Sequence, residues 1–205
     1  MIGMSPKVSE EHKLMVQDKI LNAAMTLFAR KGYHETSMDD IVSESGFSKG
    51  AIYGHFTSKD TLFLELQKRY ATLSINQLTS AVAQEATAFA KLEIAANLVF
   101  ASMCEVSDDV CRMDLEFQVA SSRLPIMKKE HKKQQLTAIK LLADIINEGI
   151  DTGEFRKDLD ADSIATILIS AIGGLSTLMI TTGIKFDWDK IKKALVFTVR
   201  DGIMR

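Results

Sequence analysis

Apolar residues recur every three or four positions through most of the chain, the spacing that places them on one face of an α-helix. Val16, Ile20, Ala24 and Leu27 form the first such stripe, and Gly32 supplies a stop signal after it. Strand-like alternation is scarce, and the chain has only 2 prolines. The pattern therefore predicts an all-α protein.

The helices expected before residue 60 are mostly short, whereas those after it are long. The long helices after that point are expected over residues 92–103, 109–122, 139–150, 160–182 and 187–205. This change predicts an N-terminal three-helix domain over residues 1–60, followed by a larger helical bundle over residues 61–205.

Two short helices joined by a tight turn are expected within residues 37–56, the arrangement of a helix-turn-helix. Ser37 is a candidate N-cap, and Asp40 stands three residues later, as in a capping box. Gly46 permits the sharp turn, and Ser48 can cap the second helix. With its apolar positions turned inward, the second helix fits a major groove about 12 Å wide. On this pattern alone, a helical hairpin with a solvated face remains the alternative.

The overall charge provides no general attraction to nucleic acid. The 205 residues carry Lys+Arg 25 against Asp+Glu 27, and the charges before residue 70 balance. Any surface that binds a polyanion must therefore be local. With 46% hydrophobic and 25% charged residues, the composition is typical of a globular chain and excludes disordered, collagen-like and disulfide-stapled classes.

One stretch has the length of a membrane span. Residues 163–184 contain no charged side chain and, as a helix, would cross a bilayer core of about 30 Å. Hydroxyl residues occur throughout it, and Gly173 and Gly174 lie at its centre. A helix enclosed by its own fold and a partner subunit has the same composition, and we expect that arrangement rather than a membrane. The polar N-terminus contains no run of signal-peptide type, so we expect a cytoplasmic protein.

Signals for catalysis or metal binding are weak. Residues 46–50 spell G-x-S-x-G, but the nucleophile elbow of α/β-hydrolases needs a strand before its serine, and a capped helix is predicted there. The 4 histidines are scattered and do not combine with Cys104 or Cys111 at metal-ligand spacing. We therefore expect no enzyme activity, no metal and no cofactor. The cysteines are expected to be reduced structural thiols, with a redox role left open.

Residues 18–63 resemble the N-terminal domain of TetR-family transcriptional regulators. The similarity is carried by runs that follow the family's order of helices: Ile-Leu-Asn-Ala-Ala at 20–24, Leu-Phe-Ala-Arg-Lys-Gly-Tyr at 27–33, Thr-Ser-Met-Asp-Asp-Ile-Val at 36–42, Gly-Phe-Ser-Lys-Gly-Ala-Ile-Tyr-Gly-His-Phe at 46–56 and Ser-Lys at 58–59. The resemblance implies a homodimeric, sequence-specific regulator that reads a near-palindromic operator in double-stranded DNA. It also implies that the residues after about 75 bind a small-molecule effector and form the dimer.

The resemblance also implies DNA contacts at particular positions. Thr36 and Ser37 are expected to contact phosphate before the second helix, and Lys59 to contact phosphate after the third. The positions expected to face the groove or its edges are Ser48, Lys49, Gly50, Ala51, Tyr53, Gly54 and His55. Gly54 departs from the bulkier, often polar residue of the family, which puts one direct base contact in doubt.

A ligand pocket is expected beside the helix at 109–122, because that helix is apolar on two sides. Arg112 and Glu116 stand on one edge, either as an ordinary surface pair or as a polar clamp for a ligand. The predicted pocket residues are Phe100, Met103, Arg112, Met113, Glu116, Phe117, Ala120 and Met127. The 10 methionines suit an adaptable apolar pocket, so a lipophilic effector is expected.

The last two helices are the predicted dimer interface, since two from each subunit would form a four-helix bundle. The predicted interface residues are Ile164, Ile167, Leu168, Ala171, Leu175, Met179, Leu195 and Val199. The hypothesis is a repressor that a small molecule releases from DNA. The alternative is a helical protein-interaction or lipid-binding module without DNA binding, which the balanced charge of the N-terminal half favours.

Overall fold

The computed structural model describes residues 10–105 and 108–204, apart from the side chains of residues 104, 105 and 108. The described residues form nine α-helices: α1 Glu10–Glu35, α2 Met38–Ser45, α3 Lys49–His55, α4 Lys59–Val82, α5 Ala88–Glu105, α6 Asp108–Arg123, α7 Pro125–Thr152, α8 Ala161–Thr182 and α9 Trp188–Ile203. The all-α prediction and the order of a helix-turn-helix domain before a larger bundle are confirmed. The one β-type contact among the described residues is an isolated antiparallel bridge between Phe155 and Met204.

The chain divides into two compact units after Arg69, within α4. Unit 1 is residues 1–69 and unit 2 is residues 70–205. The sequence placed this boundary at residue 60, but the first turns of α4 belong to the core of unit 1. The ring of Phe63 packs 5.0 Å from that of Phe28 and 4.5 Å from that of Tyr33, measured between centroids.

Unit 1 is organised around the apolar stripe of α1. Ile20, Ala24 and Phe28 are buried, and α2 and α3 contribute the fully buried Ile41 and Ile52. Gly32 has a φ of 81° and a ψ of 165°, outside the helical range, so the regular helix is interrupted at the stop that the sequence predicted, and a short helical segment follows it to Glu35. The core therefore consists of contacts from all four helical segments of the unit.

Unit 2 packs its helices around a second apolar core. Phe155, Ile146 and Ala165 are fully buried in this cluster. The carboxylate of Glu154 accepts hydrogen bonds from the backbone N–H groups of Ala88 and Phe89 at 2.9 and 3.1 Å, which satisfies the free donors at the start of α5.

One glycine in unit 2 allows a close approach between α7 and the chain after it. A β-carbon on Gly149 would lie 2.2 Å from the ring of Phe155, so no side chain fits there. We expect Gly149→Ala to lower the free energy of unfolding by about 1–3 kcal/mol, as overpacking does, in urea titrations followed by circular dichroism. Gly202→Ala is the control, since its added methyl would meet open space; equal stability of both variants would contradict the close packing.

Helix α8 is the apolar stretch that the sequence analysis compared with a membrane span. In the described residues it is the one helix long and apolar enough to cross a membrane, with a mean hydropathy of 1.9, by length and composition only. Only 11% of its most apolar window is buried in the single chain. Its own fold therefore covers one side, and the other side is open.

Candidate nucleic-acid interface and ligand cavity

The start of α2 is held by the capping box that the sequence predicted. The N–H of Asp40 donates to Oγ of Ser37 at 3.1 Å, and the N–H of Ser37 donates to Oδ2 of Asp40 at 2.8 Å. Lys31 adds a 2.9 Å ion pair to the same carboxylate. The bond from the Ser37 backbone, followed by that from Lys31, holds the pKa of Asp40 well below its usual range. This carboxylate is therefore ionised at neutral pH and positions α2 against α1.

A capping residue stands at each end of the turn between α2 and α3. Gly46 ends α2 with a φ of 71°, a left-handed conformation that side chains disfavour. Ser48 begins α3, and its Oγ accepts from the N–H of Ala51 at 3.2 Å. Ser48 thus follows a helix and a turn, whereas the nucleophile of a hydrolase elbow follows a strand. Its hydroxyl serves as a helix cap.

The outer face of α3 is small and open, and α3 has no carboxylate side chain of its own. Lys49, Gly50 and Gly54 are exposed, and Tyr53 is 41% exposed. A β-carbon added at Gly50 or Gly54 would meet nothing within 4 Å. Ser37 and Ser48 are also exposed, whereas Ala51 and His55 are half-buried. Such a face allows another backbone to approach closely.

The single lysine of α3 already has a partner. Nζ of Lys49 lies 2.8 Å from Oδ1 of Asp39 on α2, and 60% of the Lys49 side chain is exposed. The hydrogen bond to Asp39 raises the pKa of Lys49. Nζ of Lys49 also lies 6.0 Å from the ring centroid of Tyr53. A phosphate that binds Lys49 must therefore compete with Asp39.

We expect Asp39→Asn to strengthen DNA binding, because it frees Lys49 and removes a negative charge beside α3. The slope of log K against log salt concentration should steepen by about 0.9, which corresponds to one additional phosphate contact. Fluorescence anisotropy across a salt series measures this slope, and Glu11→Gln, at an exposed position in the first turn of α1, is the charge control. Unchanged affinity and slope would show that the pair does not restrain Lys49.

Two of the predicted phosphate contacts have internal roles. Thr36 is 1% exposed, and its hydroxyl donates to the carbonyl of Gly32 at 2.8 Å, so its side chain does not reach the surface. Nζ of Lys59 donates to the carbonyls of Tyr33 and His34 at 2.6 and 3.2 Å and lies 4.4 Å from the Tyr33 ring centroid. Lys59 therefore secures the end of α1, which sequence spacing alone did not indicate.

Tyr33 connects the end of α1 with the start of α4. Its hydroxyl donates to the carboxylate of Asp60. Burial, followed by the hydrogen bond to Asp60, raises the pKa of Tyr33 above its usual value. The phenol therefore stays protonated and links α1 to α4.

Unit 2 contains a cavity of about 280 Å³. It lies between the end of α4 and helices α5, α7, α8 and α9. Its lining is apolar except for Glu93 and Gln135 and consists of Leu78, Phe89, Leu92, Glu93, Ala95, Ala96, Val99, Gln135, Ala138, Leu142, Leu168, Ile169, Ile172, Leu195, Val196 and Val199. Its volume is close to the lower end of the range of roughly 300–1,000 Å³ for small-molecule sites.

Comparison with known families agrees with both units. The model for "Bacterial regulatory proteins, tetR family" matches residues 20–66, and that for "Tetracyclin repressor-like, C-terminal domain" matches residues 97–193. The chain belongs to the TetR family. It is a helix-turn-helix transcriptional regulator that binds DNA.

Known transcriptional regulators are similar over most of this chain. The HTH-type transcriptional regulator YfiR of Bacillus subtilis is 29% identical over 91% of this chain and 89% of its own length. The HTH-type transcriptional repressor KstR2 of Mycobacterium tuberculosis is 28% identical over 71% of this chain and 72% of its own. The crystal structure of a transcriptional regulator from Saccharomonospora viridis in complex with choline has 27% identity and a TM-score of 0.83, covering 94% of this chain and 99% of that one.

The pocket residues predicted from the sequence lie elsewhere in unit 2 of this TetR-family chain. None of the eight lines the cavity. Five are buried in packed interior: Phe100, Met113, Phe117, Ala120 and Met127. Arg112 is exposed and pairs with Asp109 at 3.3 Å, and Met103 and Glu116 are half-buried. The predicted clamp residue Arg112 thus forms a surface pair within α6, but its partner is Asp109, where the spacing had indicated Glu116.

The structure divides the predicted dimer residues between the inside and the outside of unit 2. Ile167 is 66% exposed and Ala171 is exposed, whereas Met179 is buried. Leu175 is half-buried. The remaining residues pack against the core or line the cavity: Ile164, Leu168, Leu195 and Val199.

Two exposed apolar residues of the last helices were missed. Leu178 on α8 is 42% exposed, and Phe197 on α9 is 66% exposed. Phe197 shares a face with Lys193 and Asp201, since the three are spaced by four residues. A large apolar side chain on a charged helix face is a signal that the sequence already contained.

No group of three or more His, Cys, Asp and Glu side chains suited to a metal ion occurs among the described residues. Cys111 is half-buried, and the side chain of Cys104 lies outside the described residues.

Proposed function

We propose that the protein is a homodimeric repressor that binds a near-palindromic operator and is released when a small apolar molecule fills the cavity of unit 2. The observation that supports the proposed DNA-binding surface is the open face of α3, a helix without carboxylates of its own, behind a turn that is capped at both ends. The repressor role is supported by the similarity to KstR2. The protein acts in the cytoplasm, without a membrane.

The proposed reading surface is the outer face of α3 in the major groove. Lys49, Tyr53 and His55 can donate to phosphates or base edges, and Gly50 and Gly54 let the backbone come close. Ser37, Ser48 and Ala51 lie at the edge of this surface. Lys59 already donates to two backbone carbonyls, so at most its remaining N–H donor can contact a phosphate. In a dimer, two such surfaces meet half-sites about 34–36 Å apart.

The proposed dimer interface is the exposed apolar stripe of α8, joined by Phe197 of α9. Ile167, Ala171, Gly174 and Leu178 recur along α8 at intervals of three and four residues and are exposed. Small residues in the stripe let a second helix approach closely. A second copy of the chain would cover the open side of α8 and form a four-helix bundle.

The cavity of unit 2 is the proposed effector site. Helices α8 and α9 line it from one side and also carry the proposed dimer surface. A ligand that fits only one arrangement of these helices biases the dimer between two states. Because both half-sites must be met at once, a small change in half-site spacing is enough to release DNA. The choline complex of the similar regulator supports a small-molecule site in this type of protein.

The proposal is tested by measuring binding to DNA from immediately upstream of the protein's gene across a salt series. If that fragment does not bind, binding sites are selected from random sequences. We expect sequence-preferring binding that weakens steeply with salt and is lost in Tyr53→Ala. Lys59→Ala is a less informative variant than Tyr53→Ala, because it also removes two hydrogen bonds to backbone carbonyls of α1. No sequence-preferring binding in either experiment would favour the protein-interaction or lipid-binding module instead.

The effector site is tested by filling it. We expect Ala96→Phe, which places a ring in the cavity, to keep operator binding and to abolish release by any ligand that releases the wild type. Ala83→Phe is the control, since Ala83 is exposed and does not line the cavity. Undiminished release of Ala96→Phe would place the effector elsewhere.

A further inference from the structure

The lining of the cavity contains a single ionisable side chain, which restricts the kind of ligand that can bind there. Of its sixteen lining residues, only Glu93 is ionisable, and Gln135 is the only other polar one. Glu93 lies on α5 four residues after Phe89 and three before Ala96, so all three share the face that lines the cavity. The cavity therefore has apolar walls and a single anionic group.

Glu93 is available to a ligand. It takes part in none of the ion pairs or hydrogen bonds formed by the described side chains, and it is exposed to solvent. Gln135, the other polar residue, is also exposed, and its Nε2 lies 3.1 Å from Nε2 of His131. A carboxylate that borders both solvent and apolar walls can pair with a cation whose apolar part is buried.

One competing charge near the cavity is that of Arg200. Its guanidinium carbon lies 5.6 Å from the ring centroid of Phe89, a lining residue, but Arg200 itself does not contribute to the lining. A ligand inside the cavity thus borders Glu93, whereas Arg200 is not among the residues that line it. This arrangement disfavours a carboxylate or phosphate group in the cavity.

We propose that the effector is an apolar molecule with one cationic group, an amine or a quaternary ammonium, that pairs with Glu93 while the apolar part fills the cavity. This inference rests on the proposed effector site. Anionic amphiphiles of the same size bind more weakly, because the same carboxylate repels them and their head group loses hydration without gaining a partner.

Three probes with the same ten-carbon chain test the inference: decyltrimethylammonium, 1-decanol and decanoate. Each is titrated by calorimetry at constant ionic strength, and its release of bound operator DNA is measured in parallel. We expect the cation to bind about tenfold more tightly than the anion, the combined effect of one attraction and one repulsion at a solvated carboxylate. The uncharged alcohol binds between them.

Glu93→Gln and Asp151→Asn separate local from overall charge. Both remove one negative charge, but Asp151 is exposed and does not line the cavity. We expect Glu93→Gln to erase most of the preference and to leave decanol binding unchanged, and Asp151→Asn to keep the preference.

Three outcomes would overturn the inference, and they are distinguishable. Equal or tighter binding of decanoate, abolished by Arg200→Gln, would assign the head group to Arg200 instead. A cation preference that survives in Glu93→Gln would be an effect of net charge. Binding of none of the three probes would overturn the effector site itself, and the charge preference with it.

Discussion

The double variant Ile167→Asp, Phe197→Asp is expected to be a folded monomer that binds its operator weakly. Both side chains are 66% exposed in the single chain, so the aspartates cost little in the isolated subunit. In the dimer each would bury an unpaired carboxylate at an apolar contact, which is strongly unfavourable. Loss of the dimer removes the second half-site from every binding event, so operator affinity should fall roughly 10²–10⁴-fold.

Light scattering after size-exclusion chromatography measures the mass, and fluorescence anisotropy measures the affinity. Leu136→Asp is the matched control, because Leu136 is also an exposed apolar residue, 54% exposed, but lies on α7. We expect this control to remain a dimer with full affinity. A dimeric double variant would place the interface on another surface of unit 2.

Gly50→Glu is expected to abolish operator binding without harming the fold. Gly50 lies on the exposed face of α3, and a β-carbon there meets nothing within 4 Å. Replacing glycine with a helix-forming residue should raise the free energy of unfolding by roughly 0.5–1 kcal/mol. The same side chain brings a negative charge against phosphate and blocks close approach in both half-sites, so affinity should fall at least about 100-fold.

Gly50→Ala separates the two causes, since it adds the methyl group without the charge. We expect it to be as stable as Gly50→Glu and to bind DNA with intermediate affinity. Ala83→Glu, at an exposed position in unit 2, adds the same charge away from α3 and should bind like the wild type. If thermal unfolding shows a stable Gly50→Glu that still binds the operator, α3 does not enter the groove.

The helix-turn-helix could be predicted because its signals are local. The Ser37–Asp40 capping box, the left-handed Gly46 and the Ser48 cap each act within three residues of the chain, and all are present as expected. The residues that contact one another through space were harder to assign. Thr36 and Lys59 have the right residue types for phosphate contacts, yet their partners are carbonyl oxygens near the end of α1.

The all-α fold, the helix-turn-helix and the family could be predicted from the amino-acid sequence, because caps, glycine turns and helical periodicity are properties of neighbouring residues. The position of the cavity and the open side of α8 could be assigned only from the packed helices. Helix α8 has no charged residue after Asp162, so no charged face shows which of its residues face outward. The cavity lies where five helical segments leave a gap between their side chains. The position of the cavity, and the presence of Glu93 in its lining, therefore depend on packing among residues far apart in the chain.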